Sequence, residues 1–368
     1  MTIFAININM SGFNKTFTLP FESEIPSYTE EFLRNASLLK FKLKYFRRKI
    51  YLTYKRQEPL EIHNILPKHQ RILWINLSAP SLGDSLMDLS SRILLQNKQV
   101  ELYTNDKNAS LYHNDKIFSA VFTKKEELLN CKYDLIIVDS FSTRSMNVKY
   151  QIAPRTNYVG MFGFFNGPEV NRVLFSFNRM NQLLGQIHNE TELNDIAKCT
   201  ITISKSDKSI IDDLDLPSLY LAISLGGEWQ HRTYQNWQNI ITRIVELSID
   251  IAIVLVGSKN AEVKAREITK MYSSDNIINC VNKYSFNQTA EIINRAKVFL
   301  CCDGGLMHSA NAVNTPIIVM LARLSAKMQL TSPISAEVLF DKKDVNNIMA
   351  EDFIISYKKF AKFDSIDT

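Results

Sequence analysis

The sequence predicts an α/β chain of two doubly wound lobes, and three observations carry that prediction. Apolar runs of strand length alternate with helical stretches in two separate series, the pattern of parallel sheets covered by helices. Leu135–Val138, Tyr220–Leu225, Ile251–Val256 and Val298–Cys302 stop at aspartate or glycine. The segment Val298–Leu321, VFLCCDGGLMHSANAVNTPIIVML, reads strand, glycine turn, helix, turn, strand. Such lobes are Rossmann-like and face a cleft, with ligands beyond the carboxyl ends of strands. The loops after Leu77, Leu225, Val256 and Cys302 are therefore the places to look.

In chain order, residues 1–67 differ from the rest. A short β-like start is followed by a polar loop around Pro20–Pro26 and a helical stretch from about Ser27. Between Lys40 and Arg56 stand eight basic residues and no acidic one, interleaved with Phe41, Leu43, Tyr45, Phe46, Ile50, Tyr51, Leu52 and Tyr54. This stretch is either a surface for anionic lipid or glycolipid head groups or a solvated helix face whose aromatics pack on the body.

The first α/β series has strands at Ile72–Leu77, Val100–Thr104, Ile117–Thr123 and Leu135–Val138, the last ending at Asp139, with a helix at Leu86–Gln96. The second runs from Tyr220–Leu225, which ends in Gly226-Gly227, through a helix at Asn236–Ser248 and a strand at Ile251–Val256 closed by Gly257. A helix at Ala261–Met271, a strand at Ile277–Cys280 and a helix at Phe286–Arg295 lead into Val298–Leu321. The series join in a linker near 205–218, and Phe353–Phe363 reads as a final helix packing back on the first lobe. The expected division is an extension at 1–67, a first domain at 68–210, a second at 216–345 and a C-terminal helix at 346–368.

The bulk numbers narrow the class. The chain has 368 residues, 45% hydrophobic and 22% charged, which is globular composition. A net charge of +5 demands no nucleic-acid partner. There is no apolar run of about 18 residues, and the first residues lack the basic region of a signal peptide. Cys131, Cys199, Cys280, Cys301 and Cys302 show no metal-ligand spacing and read as reduced thiols of a cytosolic protein. The six histidines form no HExxH pattern. No metal site and no cofactor are expected.

Three loops can carry chemistry. In Val298–Leu321 the free N–H groups and positive dipole end of a helix beginning after Asp303-Gly304-Gly305 suit a phosphate. Plain turn chemistry is the other reading of the glycines. Leu306, Met307 and His308 open that helix, and His308 lies near any bound phosphate or merely caps and packs. After the first strand, Ser81-Leu82-Gly83-Asp84 offers a tight turn at Gly83. Asp84 is either an N-cap or a general base that takes a proton from a sugar hydroxyl. In Gly226-Gly227-Glu228-Trp229-Gln230-His231-Arg232, the arginine fork suits a diphosphate and the charge of its departure, or is simply exposed. A carboxylate from the first lobe, with a cation and a helix N-terminus from the second, is a layout for moving a group from a diphosphate donor to a hydroxyl. Asp213-Leu214-Asp215 lies in the linker, so a metal-held diphosphate is not indicated.

These motifs together resemble the ADP-heptose lipopolysaccharide heptosyltransferases of glycosyltransferase family 9. They are S-L-G-D at Ser81–Asp84, G-G-x-W-x-x-R at Gly226–Arg232 and D-G-G-L-M-H-x-A-x-A at Asp303–Ala312. The likeness spans about Arg71 to Leu321. It implies a GT-B fold and an inverting, metal-independent transfer of heptose from ADP-heptose to the lipopolysaccharide or lipooligosaccharide inner core of a Gram-negative bacterium. It assigns Asp84 as base with Ser81 and Gly83 in its turn. Donor contacts fall to Arg232, Asp303, Gly304, Gly305, Leu306, Met307 and His308, with Gly226 and Gly227 in the donor loop. The partners implied are a nucleotide sugar and an anionic glycolipid, with the enzyme in the cytoplasm or on the inner membrane's cytoplasmic face. The chain departs from the family at three places: Gly304 stands for Thr or Ser, Arg232 for Lys, and Ala322-Arg323-Leu324-Ser325 for F-G-P-T. Alternatives are another nucleotide sugar or acceptor on the same fold, and a non-catalytic membrane-docking module.

Overall fold

The computed structural model describes residues 10–20, 37–167, 169–247, 251–272 and 277–363. The β-like start, the loop beyond Pro20 and the helix start at Ser27 fall outside the described residues. From Leu38 the chain forms α1 (Leu38–Tyr54), β1 (Arg71–Asn76), α2 (Leu82–Asp88), β2 (Gln99–Thr104), β3 (Phe118–Phe122), β4 (Leu135–Ser140), α3 (Thr143–Ile152), β5 (Tyr158–Gly163) and α4 (Arg172–Leu183). It continues with α5 (Lys205–Asp212), β6 (Tyr220–Ser224), α6 (Trp237–Leu247), β7 (Ala252–Val256), α7 (Glu262–Met271), β8 (Ile277–Asn279) and α8 (Phe286–Arg295). The last elements are β9 (Val298–Cys302), α9 (Gly305–Val313), β10 (Ile317–Ala322), β11 (Ala336–Asp341) and α10 (Ala350–Phe363).

Two compact units result. The first holds the described residues up to Pro80, then Ser91–Val170 and Leu174–Leu193; the second holds Ser81–Ser90, Asn171–Val173 and the chain from Asn194 on. The described part of residues 1–67 therefore clusters with the first unit, and the turn after β1 clusters with the second.

The first unit carries a parallel sheet of order β3-β2-β1-β4-β5. Its strands read as continuous apolar runs because both faces are covered: Ile72–Ile75 and Leu135–Val138 are fully buried. The order reverses between β1 and β4. There the Asp139 carboxylate accepts the N–H groups of Leu77 and Ser78 at 2.7 and 2.6 Å, tying the two strand ends together. α1 buries Tyr45, Arg48 and Leu52 on one face. The Tyr45 ring lies 4.9 Å from that of Phe164, and Tyr51 donates to Asn147 of α3 at 3.0 Å.

The second unit carries a parallel sheet of order β11-β10-β9-β6-β7-β8, reversing between β6 and β9. Trp237 of α6 and Phe353 of α10 meet edge to face at 5.9 Å in its core. Phe353, Ile354 and Tyr357 are buried in that core, where the sequence reading had set the last helix against the first lobe. The expected linker at 205–218 opens as a helix, because Ser204 caps the N–H of Asp207. α9 ends at Asn314, whose left-handed φ of 62° closes it before Pro316.

Among the ionisable side chains buried in the first unit, Lys149 has no acidic partner among the described residues. Lys149 of α3 is fully buried, donates to Gln57 Oε1 at 2.6 Å and stands 5.1 Å over the Tyr158 ring. Burial pulls its pKa from 10.5 down to about 7. The folded chain thus holds fewer protons here than the unfolded chain between those values. The stability this group contributes is full above about 10.5 and is lost as pH falls through about 7. Lys149→Met is expected to flatten the rise of melting temperature between neutral and alkaline pH, which thermal melts of both proteins across that range measure.

Candidate active site

The switch point of the second sheet is where the sequence motifs meet. β6 ends in Leu225-Gly226-Gly227 and β9 ends in Asp303-Gly304-Gly305, on neighbouring strands. A Cβ on Gly226 would run into Asn260 Oδ1, and one on Gly227 into Thr233 Oγ1 and the Arg232 carbonyl, so a side chain at either would make these neighbours shift. Asn260 Nδ2 in turn donates to the Gly227 carbonyl at 2.7 Å. These two glycines shape the loop that presents Arg232. Its Nη1 sits 2.9 Å from Asp303 Oδ2, and its side chain keeps 26% exposure while the Asp303 side chain keeps 4%.

α9 starts with Gly304 at its N-cap in extended conformation, φ 172° and ψ 178°, with no side-chain cap. The Met307 N–H donates to the Gly304 carbonyl at 3.1 Å, and no N-cap side chain takes the N–H groups ahead of it. The two glycines of the turn differ. Nothing lies within 4 Å of a Cβ on Gly304. Gly305 meets the turn after β1: a Cβ on Gly83 would stand 2.8 Å from the Gly305 Cα and 3.3 Å from His308 Cδ2. The first turns of α2 and α9 thus pack backbone to backbone, which requires glycine at position 83.

That packing explains the correction at Asp84. The sequence reading drew Asp84 from the first lobe, yet its turn belongs to the compact unit that holds Arg232 and Asp303. Nor is Asp84 the N-cap. Ser81 is, with φ −131°; its Oγ accepts the Asp84 N–H at 3.1 Å and donates to Asp84 Oδ2 at 2.5 Å. The other oxygen, Oδ1, receives Arg172 Nη1 at 3.0 Å. Arg172 also grips Asp88 in a two-pronged pair, Nε to Oδ1 at 2.8 Å and Nη2 to Oδ2 at 2.6 Å. The Asp84 side chain keeps 22% exposure. A carboxylate offers about four lone-pair sites, so it can still accept a proton.

Arg172 and Asp88 escaped the sequence reading, which assigned no element between Asp139 and the linker at 205–218 and gave Asp88, inside the helix expected at Leu86–Gln96, no role. Arg172 opens an amphipathic helix with no glycine turn or strand end to flag it. His308 is buried at 3% exposure and its Nδ1 has no hydrogen-bond partner. Burial lowers its pKa to about 4; the charge of Asp84 opposes this, and Arg172 and Arg232 reinforce it. His308 is therefore neutral at neutral pH and adds a hydrogen-bonding group to the site rather than a cation. Met307 is fully buried in the core cluster under α9, with Leu306 packed at its edge. These two hold the helix and leave contact with a ligand to the backbone.

A sequence profile of glycosyltransferase family 9 (heptosyltransferase) matches residues 169–341. The span takes in Arg172, Arg232 and Asp303–His308. A comparison with curated proteins finds no match. Among solved structures, the chain resembles a family 9 glycosyltransferase from Veillonella parvula, with TM-score 0.66 and 13% identity over 79% of this chain and 97% of that one. It resembles the ADP-heptose lipopolysaccharide heptosyltransferase II of E. coli, with TM-score 0.64 and 16% identity over 80% and 100%. E. coli heptosyltransferase WaaC with ADP gives 0.60 and 14% over 79% and 100%. At these identities the likeness is one of fold, and the fold is GT-B, with two parallel α/β sheets.

Two outcomes test the geometry. Gly83→Ala should lower stability by about 1–3 kcal/mol, since the added carbon meets backbone rather than a movable side chain; denaturant titration measures this. His308→Gln should flatten the pH dependence of stability in acid. The wild-type histidine stays neutral when folded down to about pH 4 but takes a proton near its ordinary 6.5 when unfolded. Its stabilising contribution is full above about 6.5 and is lost toward 4, on the order of 3 kcal/mol across the window. Parallel urea titrations between these pH values give the difference in slope.

Proposed function

We propose that this chain transfers heptose from ADP-heptose to a hydroxyl of the lipopolysaccharide or lipooligosaccharide inner core, with inversion and without a metal. The observation that carries the reading is the grouping of Asp84, with its Arg172 and Ser81 supports, beside a diphosphate-sized set of donors: Arg232 and the uncapped N-terminus of α9.

In this reading Asp84 takes the proton of the acceptor hydroxyl as that oxygen bonds to the anomeric carbon of the donor. The bond from that carbon to the ADP oxygen breaks on the opposite face, which inverts the centre. The negative charge gathered on the leaving diphosphate is met by the Arg232 guanidinium and the α9 N–H groups. Arg172 and Ser81 fix the carboxylate in one orientation. Neutral His308 offers a hydrogen bond beneath the donor without repelling Arg232. The E. coli enzymes similar in fold are named for ADP-heptose and ADP, which supports this donor.

A second reading keeps the chemistry and changes the donor or the acceptor. It is favoured by Gly304, where a side chain would meet open space, so the hydroxyl that the resemblance places there is absent. Asp84→Asn should cut turnover by at least about a hundredfold while leaving nucleotide-sugar binding within a few-fold of wild type. Near-normal turnover in this variant would remove Asp84 from the role of base. Thermal shift against ADP-, UDP-, GDP- and CMP-sugars ranks the donors, because a ligand that binds only the folded chain raises its melting temperature. ADP-heptose is expected to give the largest shift.

A further inference from the structure

α1 has two faces, and the fold uses one of them. Tyr45, Arg48 and Leu52 face inward. On the opposite side Leu39, Leu43, Ile50 and Tyr54 are 70, 63, 51 and 78% exposed. With half-buried Phe46 they follow i, i+4, i+7, i+11 and i+15, one continuous stripe along the helix. Scattered exposed apolar residues need no explanation, but an aligned stripe on a single helix does.

The charges beside it have one sign. From Lys40 to Arg56 the chain has no acidic residue. At helical spacing, Lys40 and Arg47 border the stripe along one edge and Lys42 and Lys49 along the other. Lys40 and Arg47 are exposed. Lys42 leans over the Phe13 ring at 5.9 Å, and Lys49 pairs with Glu58.

We propose that α1 rests its outer stripe on a lipid surface with anionic head groups, parallel to the membrane plane. Leu39, Leu43, Phe46 and Ile50 would enter the boundary between head groups and acyl chains. The long stems of the flanking cations keep their charges at the phosphate level. Among the described residues no helix is long and apolar enough to cross a membrane, so the seat is on the surface. Charge decides against a second copy of this chain as occupant, because it would bring the same cations against the same edges. The proposal holds whichever sugar the enzyme transfers, since none of these residues belongs to the candidate active site.

The test is co-sedimentation of the full chain with vesicles of phosphatidylcholine alone and of phosphatidylcholine containing phosphatidylglycerol, at low and high salt. Binding is expected only to the anionic vesicles and to weaken with salt. L43E/I50E should lower the partition coefficient by at least about tenfold, and K40Q or R47Q by about fivefold each. Melting temperatures should be unchanged, since these side chains are exposed. The proposal is overturned if the parent ignores anionic vesicles, or if L43E/I50E binds them as the parent does. It is equally overturned if light scattering shows a dimer of the parent that L43E/I50E lacks.

Discussion

The candidate site depends on the close approach of two backbone turns, at Gly83 and Gly305. A Cβ on Gly83 would fall 2.8 Å from the Gly305 Cα, so the separation between the first turns of α2 and α9 is set by the absence of side chains. Everything of chemical interest is referred to that contact. Asp84 follows Gly83 by one residue. The N-cap of α9 precedes Gly305 by one, and His308 lies one turn further on, against Gly83 itself. The distance from carboxylate to helix N-terminus is thus held by packed main chain, which is far stiffer than a pair of long side chains.

Charge is arranged around that contact in alternation. Each aspartate has its own arginine, Asp84 with Arg172 and Asp303 with Arg232. The two guanidiniums differ in what surrounds them. Arg172 is occupied on both sides by Asp84 and Asp88, which makes it a brace. Arg232 pairs with Asp303 and keeps a quarter of its side chain exposed, which leaves it donors for a phosphate. Burying a histidine among these groups costs least when it is neutral, and two neighbouring cations keep it so. The site therefore presents its positive charge at Arg232 and the helix end, and its negative charge at Asp84.

Most of the frame was legible because buried parallel strands announce themselves. Strands with both faces covered are unbroken apolar runs, and Val298–Cys302 ending at Asp-Gly-Gly could be placed from that alone. The capping at α2 could have been resolved, since Ser81 stands three residues before Asp84 in capping-box spacing. Arg172 could not. Its role rests on a meeting of residues far apart in the chain, and nothing local distinguishes it from other helix-opening arginines. The same limit applies to the unit boundaries: β1 and the turn that follows it are adjacent in sequence, but packing of Gly83 on Gly305 assigns the turn to the other unit. The last helix was misplaced for a related reason, because an amphipathic pattern gives the apolar face without naming its partner, here Trp237.

The two glycines of the Asp-Gly-Gly turn are constrained by different things. Gly305 packs on the α2 turn, where a side chain would meet Gly83 and Phe286 at ordinary contact distance. Gly304 has an extended backbone that any residue can adopt, and a side chain there would point into open space. The protein's own packing gives no reason for glycine at that position. It stands at the N-cap of α9, beside the N–H groups read here as the diphosphate site. A hydroxyl there would add a donor to the ligand, and its absence adds room for one. Position 304 can therefore vary with the donor while the Gly83–Gly305 contact stays fixed, which separates the part of the site that sets reaction geometry from the part that selects the sugar nucleotide.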